Sequence, residues 1–200
     1  MKLRAISRVS VVALVIIVGV VIIVHGQLAG GKTSLVGADL GATAAPGFSL
    51  ADQSGVQVSL AGQLGHPVAL LFLDTQCAGS CAQLVEKVHS AMTMLGQKAS
   101  QVRWVAVSVD PAHDTAQTAS AFVTDHQLAG NLRYLVGSQS QLAPVWKAYG
   151  VTAPSGTTAG QAPGGWPGVF LIDDSGRERV YLDSGFDPSA LASDLKALLA

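Results

Sequence analysis

The sequence predicts an α/β sandwich built on a mixed central sheet, and three observations carry that reading. Val68–Leu73 and Val102–Val109 are nearly continuous apolar runs, the pattern of strands covered on both faces, as in a parallel sheet. Between them, Leu84, Val85, Val88, Met92 and Leu95 recur at helical spacing from Ser80 onward. Near the end of the chain, Val169–Ile172 and Arg177–Leu182 flank Asp173-Asp-Ser-Gly176, a hairpin turn signal. Strands that alternate with helices and close on a hairpin make a sheet with helices packed against it.

The first segment is of another kind. Val9–Val24 is apolar apart from Ser10 and Gly19, and Lys2, Arg4 and Arg8 precede it. Extended back to Ile6, the run reaches about 19 residues, close to the roughly 20 that span a bilayer. Residues 1–25 are therefore expected to be a signal-anchor or transmembrane segment. A cleaved signal peptide with a weak small-residue site near Leu28-Ala29-Gly30 is the alternative. Either way the basic flank stays inside and the remainder leaves the cytoplasm. Residues 26–44, rich in Gly, Ala, Ser and Thr and without periodicity, read as a flexible linker.

The folded domain is expected over residues 45–200. Phe48–Ala51 and Val56–Val58 read as short strands around Asp52-Gln-Ser-Gly55, and Ser59–Leu64 as one helical turn. Asp110-Pro111 closes the Val102–Val109 strand, and Thr115 is placed to cap a helix reaching about His126. Leu132–Val136 reads as a further strand, and Ser140 as the cap of a helix stopped at Tyr149-Gly150. Val151–Gly165 is a Gly/Pro/Ser/Thr-rich loop. Asp187-Pro188 supplies an N-cap and a proline at the first helical position for a closing helix to Leu199.

Composition excludes some functions. Only 12% of residues are charged, and the twelve Lys/Arg form no basic patch, so no nucleic-acid footprint is present. At 49% apolar residues the chain can build a substantial core.

The chemistry is expected on the turn after Leu73, where Asp74-Thr-Gln-Cys77-Ala-Gly-Ser-Cys81 holds the chain's two cysteines. Two are too few for a disulfide scaffold, so the four-residue separation marks a redox pair, a metal pair or two small apolar residues. At the start of a helix, unpaired N–H groups and the dipole's positive end lower a thiol pKa. Cys77 should be the exposed, attacking thiol and Cys81, one turn inward, its resolving partner. Loops after adjacent parallel strands open on the same edge, so Asp110–Asp114 should face the cysteines. Asp74 is either a proton relay or a solvated strand end, while Asp110 and Asp114 should tie their loop. His113 lies on the same edge, as an exposed loop residue or as a metal ligand. His89 sits too far along the helix to share a metal with Cys81; His66 and His126 read as loop and helix-end residues.

In their order, these motifs resemble the Sco/SenC family of the thioredoxin superfamily. The resemblance covers roughly Ala45 to Leu199: Ala45-Pro-Gly-Phe-Ser-Leu50, Thr75-Gln-Cys77-x3-Cys81, Ser108-Val-Asp-Pro-Ala-His-Asp-Thr115, Ala148-Tyr-Gly-Val151 and Phe170-Leu-Ile-Asp173. It implies a thioredoxin-like fold on the outer face of a membrane that binds copper through both cysteines and a histidine. The implied role is maturation of the copper centre of cytochrome c oxidase, by copper delivery or by reduction of that centre's cysteines. Cys77 and Cys81 carry over as the two thiolates, and soft thiolates suit Cu(I). The implied partner is a respiratory oxidase subunit or another extracytoplasmic thiol protein.

The chain departs from the family's pattern at three points. Where the family's histidine would stand is Gly165, beside Trp166-Pro167; Ala82 replaces the proline usual after the second cysteine; and Ala78-Gly79-Ser80 separates the thiols. His113 becomes the candidate substitute copper ligand. Pro167 resembles the proline that faces the dithiol in thioredoxin folds. Three roles remain open: thiol-disulfide exchange, Cu(I) carriage, and a degenerate redoxin that scaffolds a partner.

Overall fold

The computed structural model describes residues 35–76, 78–151 and 167–200. The apolar segment before residue 25 lies outside them. Among the described residues, no helix is long and apolar enough to cross a membrane.

Eight strands form one mixed sheet: β1 (Ala38–Ala44), β2 (Ser49–Asp52), β3 (Gln57–Ser59), β4 (Val68–Leu73), β5 (Arg103–Ser108), β6 (Leu132–Val136), β7 (Gly168–Ile172) and β8 (Arg177–Asp183). Their order is β1-β8-β7-β4-β5-β6-β2-β3. The central β4, β5 and β6 are parallel, and β7 runs antiparallel to β4. Among the described residues, four α-helices and two short 3-10 helices accompany the sheet; the α-helices are α1 (Ser80–Leu95), α2 (Ala116–Asp125), α3 (Gln139–Ala148) and α4 (Pro188–Leu198).

The continuous apolar run of β4 follows from its place near the middle of the sheet. Ala69, Leu71 and Leu73 enter one core with the inner faces of α1, α2 and α4. Val68, Leu70 and Phe72 enter the opposite core, with Leu142, Val145 and Trp146 of α3. All six β4 residues are buried. On the α3 side the Phe72 ring lies 5.5 Å from Tyr149 and 6.0 Å from Phe170, so the core there is a cluster of tilted and edge-on rings.

Two expectations change. Ala38–Ala44 had the composition of a linker, yet it is β1, an edge strand antiparallel to β8. Its Ala/Gly/Thr content carries no alternation because the strand is largely exposed on both faces. What holds its start is distant in sequence. The buried carboxylate of Asp194 on α4 accepts from the Val36 and Gly37 amides at 2.8 and 3.3 Å. A Cβ on Gly37 would collide with Val180 Cγ1 and the Tyr181 carbonyl, so only glycine fits that approach. The cap of α3 is Ser138 rather than Ser140. Gln141, three residues into the turn, accepts the Ser138 amide at 2.9 Å and starts the helix earlier.

Candidate functional site

Leu73 of β4 pairs with Ser108 of β5, and the Val109 amide donates to the Leu73 carbonyl at 2.9 Å. The loops after these strands therefore leave the sheet side by side, at its carboxyl edge. The first leads into α1 through Gly79, whose φ of 60° and ψ of −125° suit a residue without a side chain. This glycine, part of the spacer between the cysteines, lets the chain turn from the strand into the helix. Cys81 is the second residue of α1, 5% exposed, and disulfide-bonded. Cys77 lies outside the described residues, as do Gly165 and Trp166. Pro167 is buried immediately before β7.

The second loop is organised by Asp114. This buried carboxylate accepts from the Thr75 amide at 2.8 Å on one oxygen. On the other it accepts from Ser108 Oγ at 2.6 Å and the Tyr134 hydroxyl at 3.1 Å. It thereby ties the cysteine-bearing turn to β5 and β6. Burial and the charge of Asp114 push the Tyr134 phenol far above its ordinary range, so it stays a donor. Thr115 caps α2 as expected, its Oγ1 accepting the Thr118 amide at 3.1 Å. The clustering of Asp114, Ser108 and Tyr134 was not foreseen. One signal was present: Ser108 is a polar residue inside an apolar strand, and a buried hydroxyl needs a partner.

Asp74, at the end of β4, is half-buried. Burial and then the charge of Asp114 push its carboxyl up; the Gln76 amide pulls it down, and Asp110 adds to the rise. His113 is exposed, with Nδ1 2.6 Å from Asp110 Oδ2. Among the described residues, no group of three His, Cys, Asp or Glu side chains stands close enough to hold a metal ion. His66 sits at the other end of the sheet, its Nδ1 3.1 Å from the Gln101 carbonyl. His126 packs on Phe122, ring centroids 4.4 Å apart.

A mixed sheet with a cysteine-bearing turn between its central parallel strand and the following helix defines a thioredoxin-like protein. The model of the SCO1/SenC family matches residues 37–200, and the chain belongs to that family. Solved Sco structures superpose on it. The copper-bound ScoI of Bradyrhizobium japonicum is 25% identical, covers 78% of this chain and 99% of its own, and gives a TM-score of 0.62. Apo Sco1 of Thermus thermophilus is 22% identical over 84% of this chain and 99% of its own, with a TM-score of 0.68. BsSco, a Sco-family cytochrome c oxidase assembly protein with an identified disulfide switch, is 20% identical over 82% of this chain and 98% of its own, at 0.67. No curated protein matches the chain.

Proposed function

We propose that this chain is a membrane-anchored, extracytoplasmic dithiol protein that exchanges disulfides and carries Cu(I) during assembly of cytochrome c oxidase. The observation that carries the reading is the oxidised, buried Cys81 in the first turn of α1, beyond the carboxyl edge of the parallel strands. Cys77 is the chain's other cysteine, so the reading assigns the bond to Cys77 and Cys81. The copper-bound relative and the assembly role of BsSco support the copper and oxidase parts.

In exchange, one thiolate of the reduced chain attacks a partner disulfide and expels one partner thiolate. The second cysteine then attacks the mixed disulfide and releases the other partner sulfur. Two electrons and two protons pass to the partner, and this chain is left as the disulfide. Reduced again, the two thiolates form a soft donor pair suited to Cu(I) as cargo. His113 is the candidate third ligand. Asp110 holds its Nδ1, so ligation falls to Nε2, the arrangement in which a carboxylate orients a metal-binding imidazole.

Anaerobic Cu(I) titration with a mass readout tests this reading: wild type should bind one copper and Cys77→Ser none. With Gly165 in place of the family histidine, Cu(II) should bind poorly and without strong thiolate-to-copper absorption, and Gly165→His should create that absorption. If wild type shows the colour, His113→Ala should abolish it. Weak copper binding in both oxidation states leaves a thiol-disulfide oxidoreductase without copper. Cysteines inert to thiol labelling and exchange, in addition, would make the chain a scaffold.

A further inference from the structure

We propose that the open trough beside the dithiol loop is the docking groove for the partner, and that it receives the extended polypeptide flanking the partner's disulfide. This rests on the dithiol-exchange reading above. The trough has a volume of about 550 Å³ and begins at Thr75 and Gln76, the two residues that precede Cys77. Ala112 and His113 form one wall; the outer side of α2, with Thr118 and Ala121, forms the other. The buried Phe122 also lines it, with Asp125 and His126. A partner whose sulfur meets Cys77 would lead its neighbouring residues into this trough. Three or four extended residues are roughly 10–13 Å long, and clefts of about 300–1,000 Å³ are the usual size for a bound ligand.

The lining suits a peptide. An extended backbone brings N–H and C=O groups that need partners once water is displaced. Gln76, Thr118, Asp125 and the two imidazoles supply donors and acceptors, while Phe122 and the alanines offer apolar contact to a side chain. The walls are set before a partner arrives. Asp110 holds the His113 ring at 2.6 Å, Thr118 Oγ1 donates to the His113 carbonyl at 2.9 Å, and Asp114 fixes Thr75. A preformed groove spares the partner much of the ordering cost of binding. It stays open because Ala112 and Ala121, both exposed, carry only a methyl group.

Filling the trough tests the proposal. In the reduced full-length protein, exchange rates are measured with two oxidants: a ten-residue peptide closed by an internal Cys-x3-Cys disulfide, and bis(2-hydroxyethyl) disulfide, too small to need the trough. Ala121→Trp should slow the peptide by about tenfold, as loss of one well-packed contact region does, and leave the small disulfide unchanged. Ala112→Trp, from the opposite wall, should reproduce that split. An unchanged peptide rate in both variants, or an equal loss with both oxidants, overturns the groove. Failure of the wild type to react with either oxidant instead removes the dithiol reading beneath it.

Discussion

Asp52 and Asp173 open two hairpin turns of the same pattern, Asp-x-Ser-Gly, and meet the same surroundings. In each, one carboxylate oxygen accepts from the backbone and hydroxyl of the serine two residues on, and from the amide four residues on. The other oxygen pairs with an arginine, Arg133 or Arg179. Burial pushes both carboxyls up, but the serine, arginine and backbone hydrogen bonds outweigh it and hold them below their ordinary value. The aspartates of the cysteine edge keep different company. Burial raises the Asp74 carboxyl first; the charges of Asp114 and Asp110 add to the rise, and no arginine offsets them. A charge that serves only the turn is neutralised where it stands. At the dithiol edge, negative charge is concentrated instead, beside the residues expected to exchange protons and hold a cation.

The comparison can be broken most severely at Asp114. Asp114→Ala removes a carboxylate that satisfies an amide and two hydroxyls, and should cost about 3–5 kcal/mol. Urea unfolding would show the loss, and thiol labelling should find the cysteine-bearing turn more reactive. Unchanged stability would mean that water replaces the network. Asp52→Ala and Asp173→Ala should each cost about 2 kcal/mol through the lost charged hydrogen bonds. Their exchange rates should equal wild type, because those turns lie away from the dithiol edge. A parallel fall in exchange would show the two groups of aspartates to be coupled.

Gly79→Ala comes next, at about 1–2 kcal/mol, because it puts a side chain at a backbone conformation that disfavours one. Thermal unfolding measures it, and a lower midpoint in the oxidised protein would locate the strain at the turn between the cysteines.

The smallest effect is also the sharpest, since the two classes should respond to pH with opposite signs. Asp74 has a folded pKa above 3.8, so the folded state is penalised as pH rises through that folded value and the carboxyl ionises. Asp74→Asn should match wild-type stability below pH 3.8 and exceed it slightly at pH 7. Asp52 has a folded pKa below 3.8, so its contribution is present above 3.8 and lost as pH falls through the folded value. Asp52→Asn should be the less stable protein at pH 7, with the gap closing in acid. Melting temperatures across pH 2–8 decide it; the same sign for both variants would end the distinction.

Much of the domain was legible without coordinates because its signals are local. The apolar run of β4, the helical spacing after Ser80, the Asp187-Pro188 start of α4 and the two Asp-x-Ser-Gly turns each rest on short-range sterics or on a period set by one element's own geometry. The shared edge of the cysteine and Asp110–Asp114 loops followed from strands that had to be neighbours.

Residues that act through partners far away in sequence were not legible. β1 carries no periodicity of its own; it exists because β8 offers an edge and Asp194, more than 150 positions later, accepts two of the amides at its start. Asp114 read as a residue that ties its own loop, and only tertiary contact with Thr75 and Tyr134 makes it the hub of the site. His113 and His126 were separate loop and helix-end residues until the packing of α2 placed them around one trough. Sequence by itself determined most of the elements and put Cys81 at the start of α1, since both depend on residue type and spacing. Which polar groups meet across the domain was decided only by tertiary structure, because a buried carboxylate takes the donors that the closed fold brings within reach.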